Sequence, residues 1–190
     1  MRKSISFWQM LGFIVTSIAG TMLHFLFNWT GQQVPVALFS AVNESIWEHT
    51  KLIYYPMLLF GWVEHLYTGK ELPQFWCVKL MGILLALILI PSIYYTYTGI
   101  LGKSADWFNI AIFYISAGAA FRLETHAFRQ SHPCRISTRT AILCLLLISL
   151  LFIFFTFYPP HIPFFQDPLS GSYGYIAAHP LSNTTRIAAM

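Results

Sequence analysis

The stretch Asn43-Glu44-Ser45-Ile46-Trp47-Glu48-His49-Thr50-Lys51 puts two carboxylates, an imidazole and an ammonium into one short segment. Imidazoles and carboxylates together are the ligand set of zinc, manganese and iron sites, and also the acid and base set of hydrolases. On a helix, Glu44 and Glu48 are i,i+4 neighbours and Lys51 follows Glu48 by three, so the three share a face while His49 points about 100° away. Pro56 lies further along and would loosen the same helix, freeing a carbonyl near Leu52. A structural account covers most of these residues too. Asn43 suits an N-cap, Glu44 the positive helix end, and Ser45-Ile46-Trp47-Glu48 a capping box. Trp47 could anchor at a membrane interface, and Lys51 could pair with Glu48 or Glu44. His24, His161 and Asp167 are the further candidates. The catalytic candidates are therefore Glu44, Glu48, His49 and His161. The metal-ligand candidates are His24, Glu44, Glu48, His49, His161 and Asp167. A divalent metal suits these donors, yet no H-E-x-x-H or comparable zinc spacing names one.

The elements that position these residues follow from composition. Of 190 residues, 56% are hydrophobic and 9% charged, and the mean hydropathy is +0.59. Water is not the main solvent of such a chain. At about 20 apolar residues per crossing, roughly 100 of them suggest about five spans. This excludes a soluble enzyme, a disordered regulator and a disulfide-stapled secreted module. The apolar runs fall at about residues 5–27, 52–67, 75–95, 107–123 and 140–158. In a bilayer they must be helices, because every backbone donor needs an internal partner. Arg2 and Lys3 before the first run resemble a signal peptide. The run is too long for one and passes Gly20 into His24 and Trp29 without a small-residue cleavage site, so it is expected to be retained.

The expected architecture is an all-α bundle of five transmembrane helices in a cell membrane, forming one domain over residues 1–176 and followed by a loose tail at 177–190. Basic residues orient it. Arg2, Lys3, Lys70, Lys79, Arg122, Arg129, Arg135 and Arg139 fall on one side, against Lys51, Lys103 and Arg186 on the other. The positive-inside rule puts the N-terminus in the cytoplasm and the C-terminus outside. Residues 159–176, rich in proline and glycine, are expected as a stiff external flap over the bundle mouth. No basic patch forms, which excludes nucleic acid and leaves membrane lipids as partners. Cys77, Cys134 and Cys144 lack a CxxC spacing and are expected to be reduced, without a structural role.

This topology brings His24, Glu44, Glu48, His49, His161 and Asp167 to the external boundary from three chain segments. Ionisable groups at membrane depth are costly and are usually paired or functional. At the opposite boundary, Glu64-His65, Glu124 and His126, with nearby arginines, read as interfacial salt bridges and lipid-phosphate contacts, Glu64 being expected to pair with Lys70, Lys79 or an arginine of the inner loop. Gly20 and Gly82 suit close helix packing, and Tyr97 a membrane belt. No motif names a reaction, and whether the protein is an enzyme stays open. The default function is a non-enzymatic membrane subunit or binding module with a polar external pocket. One alternative is a small transporter or proton-coupled permease; with few polar residues between the two ends, it would need a homo-oligomer. The other is an external-face metal-assisted hydrolase or transferase.

The combination of Gly20-Thr21-Met22-Leu23-His24-Phe25, the Asn43 to Lys51 stretch, Tyr97-Thr98-Gly99-Ile100-Leu101-Gly102, and Tyr158-Pro159-Pro160-His161 through Asp167-Pro168 resembles an uncharacterised family of small bacterial multi-pass membrane proteins. The resemblance covers about residues 5–176. It implies a bacterial cytoplasmic-membrane protein and carries over no reaction, substrate or cofactor.

Overall fold

The structure, a computed structural model, describes residues 2–72, 74–130 and 134–175, with side chains from residue 4 onward. The expected tail at 177–190 lies outside the described residues. Six α-helices and no strand are present among them: α1 (Arg2–Trp29), α2 (Val34–Ala37), α3 (Ile46–Thr68), α4 (Phe75–Leu101), α5 (Asp106–Ala127) and α6 (Thr138–Phe157). Local signals set several ends. The Ser45 and Ser137 hydroxyls accept from the amides of Glu48 and Thr140, capping α3 and α6. Gly102, at φ +68, closes α4 in the left-handed conformation, its amide bonded to the Thr98 carbonyl.

Among the described residues three helices, rather than five, combine the length and apolarity needed to cross a membrane: Ser4–Trp29, Phe75–Leu101 and Thr138–Phe157. Helices α3 and α5, of 23 and 22 residues, are long enough. Their apolarity falls short because α3 carries Glu48, Lys51 and Glu64, and α5 carries Asp106, Arg122 and Glu124. α1 packs on α3 and α5, while α4 packs on α3, α5 and α6. The interior is filled by Ile53, Met57, Ile83, Ala86 and Ala117, all essentially inaccessible. Large apolar side chains also stand on the outside, among them Phe7, Met10 and Ile18 of α1 and Leu143, Leu147 and Leu150 of α6. A surface of this kind is what lipid-facing helices present.

The charges of α3 and α5 turn inward. Near one end of the bundle, Lys79 Nζ lies 2.9 Å from Glu64 Oε2 and 2.6 Å from Glu124 Oε2, and all three side chains are buried. Gln9 of α1 donates to the other oxygen of Glu64 at 2.6 Å. The ammonium also lies 5.2 Å from the centre of the Phe121 ring and 5.8 Å from that of Phe60. Four helices thus meet on one ion network. Gly82 admits it: a Cβ there would collide with the Glu124 carboxylate. The pairing of Glu64 with Lys79 is among those expected, while the interfacial placement of Glu64 and Glu124 is corrected, since neither carboxylate reaches the surface. The cysteines differ from expectation as well. Cys77 of α4 is bonded to Cys134 in the α5–α6 loop, with a Cα separation of 6.2 Å, and Cys144 is free.

Removing one partner of such a network strands a buried charge. Lys79→Ala is expected to destabilise the protein by about 3–5 kcal/mol, read as a fall in thermal unfolding temperature in detergent. Lys79→Met combined with Glu64→Gln and Glu124→Gln should regain most of that loss. Equal stability of Lys79→Ala and wild type would show that the network does not hold the helices.

Candidate functional site

The opposite end of the bundle is organised by where α3 begins. Asn43 Oδ1 accepts from the Ser45 amide at 3.0 Å, and Ser45 Oγ accepts from the Glu48 amide at 3.3 Å. The cap is therefore Ser45, supported by Asn43, and Glu44 lies outside the helix. The expected i,i+4 pairing of Glu44 with Glu48 does not arise, and the two carboxylates part. Glu48 turns into the core, where Oε2 lies 2.5 Å from Lys51 Nζ and accepts from the Val42 amide at 3.0 Å. Lys51 also donates to the Ala37 carbonyl at 3.1 Å and to Thr156 Oγ1 at 2.9 Å, joining α2, α3 and α6. Half of the capping box forms, and its glutamate serves a buried ion pair.

Glu44 instead meets two imidazoles. Its Oε2 lies 3.3 Å from His49 Nε2 and its Oε1 3.9 Å from His24 Nε2. The two imidazole rings are 5.3 Å apart between centres. The hydrogen-bonding contact with His49 holds the Glu44 carboxyl below the usual carboxylate range; partial burial opposes this, and the charges of His49 and His24 reinforce it. The carboxylate is thus an anion between two rings.

Two backbone features hold these rings in place. Pro56 has no amide to offer the Leu52 carbonyl. That oxygen faces Gly20 of α1, where a Cβ would stand only 2.5 Å from it and 2.5 Å from Phe113 Cζ. Gly20 therefore lets α1 approach α3 closely, and His24 and His49 sit one turn from this contact on their respective helices. Ser40 adds a second tie. Its hydroxyl donates to the Leu23 carbonyl and accepts from the Phe27 amide at 3.2 Å, bracketing His24 on α1. Nothing in the sequence singles out Ser40.

The cluster lies where two cavities meet. One, of about 210 Å³, is mainly apolar and runs along Gly20, Phe25, Leu52, Ile110, Phe113 and Tyr114. The other, of about 600 Å³, is lined by Glu44, Ser104, Asp106, Asn109, Pro168 and Leu169. His24, His49, Asn109 and Ile110 border both. Its polar wall is braced by Tyr97, whose hydroxyl donates to Asn109 Oδ1, while Asn109 Nδ2 donates to Ser104 Oγ at 2.9 Å. Tyr97 is buried, so it is a packing and bracing residue rather than a belt residue.

His161 and Asp167 stand outside the cluster. The C-terminal segment folds back on α3 through a 3-10 turn at Pro163–Phe165, a bridge between Gln166 and Tyr173, and a hydrogen bond from Asn43 Nδ2 to the Gly174 carbonyl at 3.2 Å. Trp47 packs in tilted and edge-on contacts amid Phe152, Phe155, Phe164 and Phe165, so it fastens this segment rather than anchoring at an interface. Asp167 builds the turn: its carboxylate accepts from the Leu169 amide at 2.9 Å and from Ser170 Oγ at 2.6 Å. His161 is exposed and packs on the Tyr173 ring at 4.7 Å. Of the six candidates, the structure unites His24, Glu44 and His49 and commits Glu48 and Asp167 elsewhere.

Gly20→Ala is expected to push α1 away from α3 and separate the imidazoles. A His24→Cys/His49→Cys pair should cross-link readily under mild oxidation and lose most of its yield when Gly20→Ala is added. Unchanged yield would show that the Leu52 carbonyl contact does not set the distance.

No curated protein and no solved structure matches the chain. A family of unknown function (DUF6512) does match, over residues 1–175. The match runs from α1 through the folded-back C-terminal segment, and the chain belongs to that family.

Proposed function

We propose that the protein is a binding module of the cell membrane, a five-helix bundle with its N-terminus in the cytoplasm and a ligand cleft at the external face. Burial supports the crossing of α3 and α5: Glu48, Lys51, Glu64 and Glu124 are buried and paired, so their charges do not face lipid. Orientation draws support from the exposed basic residues. Lys51 and Lys79 are internal, which leaves Lys70, Arg122, Arg129, Arg135 and Arg139 near the Lys79 end against Lys103 near the Glu44 end.

The observation that carries the binding reading is the meeting of an apolar cavity with a polar cleft at His24 and His49. That pairing suits an amphiphile with its polar end at Glu44 and Asn109 and its apolar part between α1 and α5, where Phe25 and Ile110 are exposed. It favours a binding module over a permease. Between the cleft and the Lys79 network the interior is closed by Ile53, Met57, Ile83, Ala86 and Ala117, each at most 1% exposed.

Two experiments test this. Ile110→Trp fills the junction of the cavities. Native mass spectrometry of the detergent-purified protein should find a lipid-sized adduct on wild type and lose it in that variant; no adduct, or equal adducts, would count against the reading. For orientation, cysteines placed at Arg135 and Leu169 should react with an impermeant maleimide only at position 169 in intact cells. The reverse pattern would invert the topology.

A further inference from the structure

His24, Glu44 and His49 come from α1, the loop before α3 and α3 itself, and each offers a donor atom within 4.8 Å of the other two. Zinc bonds to imidazole nitrogen and carboxylate oxygen of about 2.0–2.2 Å hold tetrahedral ligand atoms about 3.3–3.5 Å apart. His49 Nε2 lies 3.3 Å from Glu44 Oε2 and His24 Nε2 lies 3.9 Å from Glu44 Oε1, so side-chain rotations that bring one carboxylate oxygen to both rings would close such a shell.

The His49 tautomer is an independent observation. Nδ1 lies 2.9 Å from the Ser45 carbonyl, and a carbonyl only accepts, so Nδ1 carries the proton. The Nε2 lone pair of the neutral ring then points at the Glu44 carboxylate. Lone pair against carboxylate is repulsive unless a cation, either a proton or a metal ion, stands between them. An imidazole held through its outer nitrogen by a backbone carbonyl is also the usual support of a metal ligand. The second ring decides between the two cations. His24 turns its Nε2 toward the same carboxylate at 3.9 Å, beyond hydrogen-bond distance. A single proton between His49 and Glu44 leaves His24 without a role, whereas a metal ion uses both rings.

We infer that His24, Glu44 and His49 bind one divalent ion of the zinc class through two imidazole nitrogens and one carboxylate oxygen. The fourth coordination position faces the cleft lined by Asp106 and Asn109. The inference deepens the binding-module reading, on which it rests, by naming what grips the polar end of the ligand. Glu48, His161 and Asp167 take no part.

The test uses the full-length protein in detergent, stripped with chelator and titrated with Zn²⁺ alone or Co²⁺ alone. Elemental analysis should find one zinc per chain, and the cobalt form should show the visible absorption of a tetrahedral site. Glu44→Gln and His49→Ala should weaken binding by at least about 100-fold, His24→Gln should do likewise, and His161→Ala should bind as wild type. Glu44 lies on a loop, so Glu44→Gln keeps the test valid if a histidine variant fails to fold. Absence of stoichiometric metal in wild type, or equal affinity in Glu44→Gln, would overturn the inference and leave an imidazolium–carboxylate pair. Ile110→Trp separates the two readings: it should lose the amphiphile and keep zinc, whereas a lipid adduct on a wild type that binds no zinc would sink the metal site alone.

Discussion

Two lysine ammonium groups buried in an apolar bundle constrain everything else in this fold. Lys51 and Lys79 have no exposed surface, and an ion taken out of water costs several kcal/mol unless charge and hydrogen bonds replace its hydration. Their partners come from other elements: Ala37 and Thr156 for Lys51 beyond its own Glu48, and Glu64 and Glu124 for Lys79. The bundle is therefore pinned near both ends, by α2, α3 and α6 at one and by α1, α3, α4 and α5 at the other. This requirement also removes Glu48 from the surface chemistry and leaves Glu44 as the carboxylate that the imidazoles share.

Between the pinned ends, one close backbone approach places those imidazoles. The Leu52 carbonyl lacks an amide partner because of Pro56, and it lies against Gly20. Each helix projects its histidine one turn from that contact. The Ser40 hydroxyl then ties the preceding loop to α1 on both sides of His24. The cluster thus depends on a glycine, a proline and a serine that carry no chemistry of their own.

The C-terminal segment belongs to the same assembly. Trp47, one residue before Glu48, packs among four phenylalanines of α6 and the folded-back segment. Asn43 bonds to Gly174 at the far end of that segment. As a result Pro168 and Leu169 reach the cleft beside Glu44. A stretch that does not pack as a helix supplies part of the cleft wall.

Much of this was legible beforehand. Apolar runs and closely spaced prolines marked five long helices and a folded-back segment, because each reports the local solvent and the local backbone. The run lengths also brought His24, Glu44 and His49 to one end of the bundle. The division of labour between Glu44 and Glu48 was not legible. It turns on α3 starting at Ile46 rather than one turn earlier, and on which carboxylate a buried ammonium reaches first. Lys79 was one of the partners expected for Glu64, but the burial of that pair and its extension to Glu124 and Gln9, the Cys77–Cys134 bond and the bracing of Asn109 by Tyr97 were hidden for a similar reason: each joins residues of different helices or loops whose spacing along the chain carries no period. Sequence alone determined which segments are apolar helices and that His24, Glu44 and His49 come to one end of the bundle. Only the tertiary structure decided which of those groups met, because pairing depends on interhelical gaps of a few ångströms, set by Gly20, Gly82 and the buried lysines.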